Sequence, residues 1–263
     1  MAIKKYYASK DNTITNAFKQ DLITRGTGAN MGLSDILETF SIYGQESSTS
    51  TELERILIEF PVDQIIADRA ANIIPESGKV SFVLNMYNAP NNQTTPRELE
   101  LTVLPLSTSW QEGTGMDMEE YKDVTNDGKG SNWVNSAANT PWTTQGGDYL
   151  SAPAYSQVFP VGDENLKIDI TSLVEEWIAG TVDNYGVGVH LTSSQEAYYQ
   201  KFFPREAVQF DGQAFLSGTA EMPASGPSTV SAWLKPTDSG TLRYLLFWQN
   251  IGGVSYSRAI FRA

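Results

Sequence analysis

Apolar and polar residues alternate in several short stretches of the chain, which is the pattern of half-buried β-strands. Examples are residues 53–60, 80–87, 98–104, 166–170 and 187–191, although Leu57 interrupts the polar face of the first stretch. Residues 11–23 and 36–44 have a looser form of the pattern and are also predicted as strands. Turn residues separate the stretches and helical patterns are few. The sequence therefore predicts an all-β protein with an antiparallel β-sandwich rather than a parallel α/β fold.

Two stretches have helical spacing instead of alternation. Residues 62–71 place apolar side chains at helical intervals and predict one short helix. A second helix is predicted over residues 172–179, where the apolar side chains share one face. Ser172 and Glu175 have the spacing of a capping box, in which each side chain bonds the backbone N–H of the other residue. Gly180 is placed to end this helix.

Three short motifs carry a resemblance to a known family. They are Trp110-Gln111-Glu112-Gly113, Asp169-Ile170-Thr171-Ser172-Leu173-Val174-Glu175-Glu176-Trp177 and Asn184-Tyr185-Gly186-Val187. Together they resemble the DNRLRE type of domain, which is related to disaggregatases. Such domains are jelly-roll β-sandwiches that occur in secreted carbohydrate-binding proteins and, with a longer middle loop, in structural proteins of tailed bacteriophages. The resemblance covers residues 1–205 and implies a jelly-roll β-sandwich with one or two short helices.

The motifs change character after Pro204. Residues 208–212 and 229–236 resemble the opening strands of a laminin-G or concanavalin-like lectin domain. Residues 242–248 and 255–261 predict two further strands. A complete domain of that family is considerably longer. We therefore expect residues 206–263 to form an abbreviated lectin-like segment, which is either a fragment or completes a sheet on a neighbouring subunit.

The segment 113–155 loses periodicity and is rich in Gly, Asn, Ser and Asp. A long insertion of this kind is often functional, so it is the first candidate for a partner surface. The competing interpretation is that Trp133 and Trp142 fold inward and fix the segment. We favour burial of both tryptophans, because large aromatic side chains are usually buried.

The chain is acidic, with a formal net charge of -13 and a sequence pI near 4.5. Phosphate groups are repelled by such a surface, so we expect neither nucleic-acid binding nor attachment to anionic membranes. No apolar run has the length of a membrane span, and the first residues lack a signal-peptide core. We expect synthesis in the host cytoplasm without membrane insertion. The absence of cysteine excludes disulfides and agrees with assembly in a reducing compartment.

Candidate catalytic chemistry is sparse. His190 is the one histidine, and it falls on a predicted strand with no nucleophile-elbow pattern in the chain, so we expect a surface or half-buried strand residue. Residues 123–130 begin like a calcium loop, but the twelfth position is Val134, where a bidentate glutamate is required. A solvated turn is the better interpretation of these residues. We name no catalytic residue, no metal ligand and no cofactor, and the ligand-binding residues stay unknown.

These patterns and the resemblance predict a non-enzymatic structural protein on the surface of a bacteriophage virion, as a capsid decoration, neck or tail-fibre component. The expected partners are capsid, neck or tail subunits, further copies of the chain, and a host-surface glycan. The alternative is a carbohydrate-binding module of a protein that recognises or degrades polysaccharide. It predicts aromatic rings exposed in a row on one sheet face, with Tyr198, Tyr199 and Trp248 as candidates. Ordinary sheet packing is the competing interpretation of these three rings.

Overall fold

The structure is a computed structural model that describes residues 3–21, 23–43, 51–89, 98–116 and 130–197, together with four short strands nearer the C-terminus. Contacts within the chain divide it into two compact units. The first unit is Met1–Val208 and the second is Gln209–Ala263. Each unit is described separately below.

The first unit consists mainly of strands. They are β1 (Lys10–Thr15), β2 (Phe40–Tyr43), β3 (Thr51–Glu59), β4 (Val83–Met86), β5 (Leu99–Pro105), β6 (Asn135–Ala137), β7 (Thr140–Pro141), β8 (Tyr155–Phe159), β9 (Leu166–Asp169) and β10 (Val187–Leu191). Among the described residues of this unit, three short helices join them, namely α1 (Val62–Ala70), α2 (Thr171–Ala179) and α3 (Ser193–Glu196). The described strand pairs are antiparallel. The prediction of an all-β, antiparallel fold is confirmed.

The principal sheet has the strand order β1-β3-β10-β5-β8. β2 pairs with the first half of β3, where Phe40 lies opposite Glu54. β1 pairs with Glu54 from the other side, through Thr15. β10 pairs with the same edge of β3 from Ile56 onward, beyond the residues that pair with β2. β3 therefore holds three neighbouring strands in register.

One face of the principal sheet carries the larger apolar core. Alternate residues of β3, β5 and β10 point into it, namely Ile56, Ile58, Val103, Val187 and Val189. The pair of strands β4 and β9 and the helices α1 and α2 cover this face. They contribute Leu84, Leu166, Ile168, Val62, Ile65, Leu173, Val174 and Trp177. The result is a sandwich-like arrangement in which helices complete the smaller layer.

The helix α2 begins differently from its predicted form. Its first helical residue is Thr171, and the predicted capping box is wrong. The Ser172 hydroxyl lies 2.7 Å from the Tyr155 hydroxyl, and Glu175 accepts two bonds of 2.7 Å from Arg69 of α1. A bidentate guanidinium is a stronger partner for a carboxylate than a backbone N–H. The predicted end is confirmed, because Gly180 has a φ of 68°.

Several predicted strands are shorter in the structure. β1 ends at Thr15 instead of continuing towards residue 23, because the chain then turns through side-chain bonds. The Asn16 side chain accepts the Leu53 N–H at 2.7 Å, and Glu52 accepts the Phe18 N–H at 2.6 Å. β2 and β4 also start later than predicted, at residues 40 and 83. The helix α1 agrees closely with its prediction.

Three elements have no counterpart in the predictions, namely the β6-β7 hairpin, β8 and α3. The hairpin lies within the segment that was predicted to be irregular. These elements are short, and their sequences lack a run of alternation that would distinguish them from loops. The conformation of β8 also depends on β5, which is distant in the chain.

In the second unit the described residues form two small antiparallel pairs. β11 (Arg243–Leu245) pairs with β14 (Ala259–Phe261), and β12 (Gln249–Ile251) pairs with β13 (Val254–Tyr256). Four short strands therefore replace the two that were predicted. The lectin-like motifs at residues 208–212 and 229–236 lie outside the described residues. The division at residue 205 and the lectin-like character stay predictions.

Candidate functional site

The outer face of the principal sheet is covered by the chain that follows β5. A second apolar cluster forms there from Ile14, Leu57, Leu106, Trp110, Trp133 and Trp142. Trp133 and Trp142 are each 5% exposed. The Trp142 indole N–H donates to the Asn132 carbonyl at 2.8 Å. The interpretation that both tryptophans fold inward and fix the segment is confirmed.

Two of the three family-like motifs meet at Trp110. The buried Trp110 indole donates its N–H to the Tyr185 carbonyl at 2.9 Å. The next residue, Gly186, has a φ of 80°, and a Cβ there would overlap the carbonyl of Ile58. Lys10 lies over the Trp110 ring at 5.3 Å. These motif residues thus join the loop after β5 to the start of β10.

A buried asparagine that the sequence analysis missed organises the other end of the first motif. The Asn30 amide donates to the carbonyls of Glu112 at 2.7 Å and Ser131 at 2.8 Å. Its Oδ1 accepts the Gly115 N–H at 2.8 Å. Gly113 packs so closely on Asn30 that a Cβ would overlap the amide. No local pattern signals this role, because the partners lie 82 to 101 residues away in the chain.

Asn30→Asp is expected to lower the free energy of unfolding by about 2 to 3 kcal/mol. The carboxylate oxygen that replaces the amide nitrogen would face the carbonyl oxygens of Glu112 and Ser131 and has no hydrogen to donate to them. Urea denaturation measures the loss. The matched control is Asn72→Asp, which makes the same change at an exposed site. Asn72 has a φ of 56°, a conformation that both asparagine and aspartate tolerate. Equal losses in the two variants would contradict the assigned role of Asn30.

An open cleft of about 450 Å³ lies beside the second apolar cluster. Its lining residues are Arg55, Ser107, Thr143, Thr144, Gly147, Asp148 and Tyr149. The Arg55 guanidinium lies 5.1 Å from the ring centre of Trp133 and 5.8 Å from that of Tyr149. The short helix α3 supplies Glu196, which accepts two bonds from Arg55 at 2.9 and 2.7 Å. Arg55 is therefore held by two aromatic rings and by the carboxylate of Glu196.

Asp148 is the second charged group of the cleft. Its carboxylate accepts the N–H groups of Thr143 and Thr144, each at 2.8 Å, and the Thr108 hydroxyl at 3.3 Å. Although burial opposes ionisation, these bonds hold the pKa of Asp148 below its usual range. A carboxylate with three donors is a weak base. Its role is to hold the loop that forms one wall of the cleft.

His190 lies on β10, as predicted, but it is buried rather than at the surface or half-buried. Its Nδ1 is 2.7 Å from the Leu191 carbonyl, which makes Nδ1 the protonated nitrogen. Burial and the charge of Arg55 lower the pKa of His190, so the ring is neutral at neutral pH. Its nearest ring neighbour is Tyr149, at 5.2 Å between centres. This arrangement supports a packing role for the histidine.

The groups that the cleft can offer to a ligand are hydroxyls. Ser107, Thr143 and Thr144 are exposed, and the partly exposed Tyr149 ring lies beside them. Burial raises the pKa of Tyr149 to about 12, so its hydroxyl stays protonated. Such a lining suits a neutral, hydroxyl-rich molecule.

The other candidate residues are placed as follows. Tyr198, Tyr199, Trp248 and the calcium-like residues 123–129 lie outside the described residues. In the part of the chain that is described, the strongly exposed aromatic rings are Tyr7 and Tyr87, and both lie outside the strands. The same part contains no group of three or more His, Asp or Glu side chains that could hold a metal ion.

No helix among the described residues is long and apolar enough to cross a membrane. Comparison with known proteins finds no matching family model, no matching curated protein and no matching solved structure. The resemblance to DNRLRE-type domains therefore depends on the three motifs alone.

Proposed function

We propose that this protein is a non-enzymatic structural protein on the surface of a bacteriophage virion, with a DNRLRE-like first unit as its scaffold. The supporting observation is that the motif residues are used to hold the fold together. Trp110 bonds the Tyr185 carbonyl, Gly186 packs against β3, and Glu175 joins α2 to α1 through Arg69. Residues that make such contacts stabilise a framework and are not available to a substrate.

The charged groups of the cleft support the same proposal. Arg55 is bound by Glu196 and by the Gly146 carbonyl, and Asp148 is bound by three donors. A general acid or base must exchange a proton with its substrate. Among the described residues of the cleft, the charged side chains are engaged with the protein itself. A binding or structural role fits this arrangement better than catalysis.

The proposed partners are capsid, neck or tail subunits and further copies of the chain. Strand addition at the outer strand β1 of the principal sheet is disfavoured, because a side chain occupies part of its edge. On β1, the Asp11 N–H donates to Glu112 at 3.0 Å. At the other outer strand, the Gln157 side chain of β8 accepts the Lys167 N–H at 2.7 Å and donates to the Asn165 carbonyl at 2.9 Å, so it joins β8 to β9. We therefore assign assembly contacts to the loops and to the second unit.

A glycan-binding module is retained as the second candidate, because of the cleft with its exposed hydroxyls and its tyrosine. The two functions are compatible, since a virion surface protein can bind a host glycan. In the cleft, the three hydroxyl side chains and Tyr149 would contact the sugar.

Immunogold electron microscopy tests the proposal. Antibodies raised against the recombinant chain are applied to particles purified from the host that carries the gene, and mass spectrometry of the same particles measures copy number. We expect gold on intact particles and a defined number of copies for each one. The protein's absence from particles, together with retention on a polysaccharide column, would overturn the virion assignment in favour of the glycan-binding module.

A further inference from the structure

A buried carboxyl group without a partner lies on the core face of β3. Glu54 is 1% exposed, and neither of its carboxyl oxygens has a hydrogen-bond partner in the described part of the chain. Glu52, two residues earlier on the same face, differs because it accepts the Phe18 N–H. An unpartnered carboxyl group in a core is costly in its charged form.

The Glu54 carboxyl group is covered by its neighbours on the adjoining strands and by the segment before β2. Thr15 and Phe40 are its direct neighbours on the adjoining strands, and directly opposite residues share a sheet face. The segment before β2 crosses this end of the core. There the Glu38 N–H donates to the Thr13 hydroxyl at 3.3 Å, and the Thr39 hydroxyl donates to the Glu54 carbonyl at 2.8 Å. We call residues 34–43, which include this segment and β2, the lid.

The lid is held by few strong contacts. β2 has four residues and, among the described strands, pairs only with β3. The Ser41 hydroxyl adds two long bonds of 3.4 Å, to the carbonyls of Gln195 and Glu196. Leu37 packs on the edge of the larger core while remaining partly exposed. Segments with few contacts open locally at a lower free energy than the rest of a fold.

The charges around Glu54 disfavour its ionised form. The titratable group that faces it from the lid is Glu38, and β1 presents the uncharged residues Thr13 and Thr15 on this face. Burial, and then the negative charge of Glu38, raise the pKa of Glu54 to about 9. At neutral pH the closed lid therefore covers a protonated, neutral carboxyl group.

We propose that residues 34–43 are a proton-controlled lid, which stays closed while Glu54 carries its proton and opens when Glu54 ionises. Opening admits water to the carboxylate and separates it from Glu38. In the open state the pKa of Glu54 returns to its ordinary value of 4.5. Proton linkage then fixes how the stability of the closed lid depends on pH. Closure is most stable below pH 4.5 and weakens as the pH rises towards 9. Between these limits the opening constant increases by about tenfold for each pH unit.

Hydrogen exchange measured by mass spectrometry between pH 5 and pH 9 tests the lid. After correction for the intrinsic pH dependence of exchange, opening of residues 34–43 is expected to increase about tenfold per pH unit, while α2 stays unchanged. Glu54→Gln imitates the protonated group and should remove the part of this dependence that Glu54 contributes, which leaves only the contribution of Glu38, whose pKa is also raised by burial. Glu76→Gln, the same change at an exposed site, should preserve it. A dependence that persists in Glu54→Gln at its wild-type size would overturn the proposal.

A second measurement keeps the test decisive if Glu54→Gln folds poorly. Carboxyl carbon NMR of the full-length wild-type chain follows each glutamate as the pH changes. We expect the Glu54 signal to titrate far above the ordinary range, together with the exchange of the lid. In Glu38→Gln the loss of the like charge should move that titration to lower pH. A Glu54 signal that titrates near pH 4.5 in the closed protein would overturn the proposal.

Discussion

Gly186→Ala is expected to lower the free energy of unfolding by about 4 kcal/mol, which is a large fraction of the stability of an ordinary domain. Two physical effects combine in this variant. The φ of 80° is unfavourable for a residue with a side chain, and the new Cβ would overlap the Ile58 carbonyl and approach the Glu59 Cα. Backbone atoms in a sheet cannot move aside cheaply. The strand pair β3-β10 must therefore separate locally.

The control for this prediction is Gly180→Ala. Gly180 has a similar φ of 68°, but no atom lies within 4 Å of a Cβ built there. Its substitution therefore measures only the cost of a positive φ for a residue with a side chain, which we expect to be about 1 kcal/mol. Urea denaturation followed by tryptophan fluorescence measures both variants, since Trp110 lies beside residue 186. If the two losses are the same, the packing of Gly186 against β3 is not what requires the glycine.

Arg55→Met is expected to lower the free energy of unfolding by about 3 to 5 kcal/mol. The substitution leaves the buried carboxylate of Glu196 without its partner, and an uncompensated buried charge is strongly destabilising. It also removes the contacts of the guanidinium with the rings of Trp133 and Tyr149. Because α3 supplies Glu196, we expect the end of the first unit to exchange its amides faster in this variant.

The double variant Arg55→Met with Glu196→Met separates the two contributions. It should recover part of the loss, because both charges are then removed from the core. Lys79→Met is the surface control, since the pair of Lys79 and Glu76 is largely exposed. It should change stability by less than about 0.5 kcal/mol. A single Arg55→Met variant as stable as the Lys79→Met control would show that the Arg55–Glu196 pair contributes little.

Alternation predicted the strands with one clear core face most accurately. β10 is the best example, because Val187 and Val189 enter the larger core while His190 lies on the other side, as the sequence indicated. β3 was harder to interpret, since Leu57 interrupts its polar face. The structure supplies the reason, which is that the chain after β5 covers that face and buries Leu57 in the second cluster.

The candidate site was less accessible to sequence reasoning. Burial of Trp133 and Trp142 could be predicted from their size alone. The role of Asn30 could not, because an asparagine in a glycine-rich loop reads as an ordinary turn residue. The sequence also did not reveal that the buried carboxyl group of Glu54 lacks a hydrogen-bond partner. The position of Ile56 places Glu54 on the core face, but no local pattern shows whether a buried carboxyl group has a partner.

By itself, the sequence determined the all-β class, the helices α1 and α2, the glycine that ends α2 and the acidic surface. These features depend on side-chain periodicity and backbone preference, which act between residues close in the chain. The tertiary structure alone decided the pairing of Arg55 with Glu196, the contacts of Asn30 and the cover over Glu54. Those features join residues far apart in the chain, and their energies exist only once the sheet and its loops have come together.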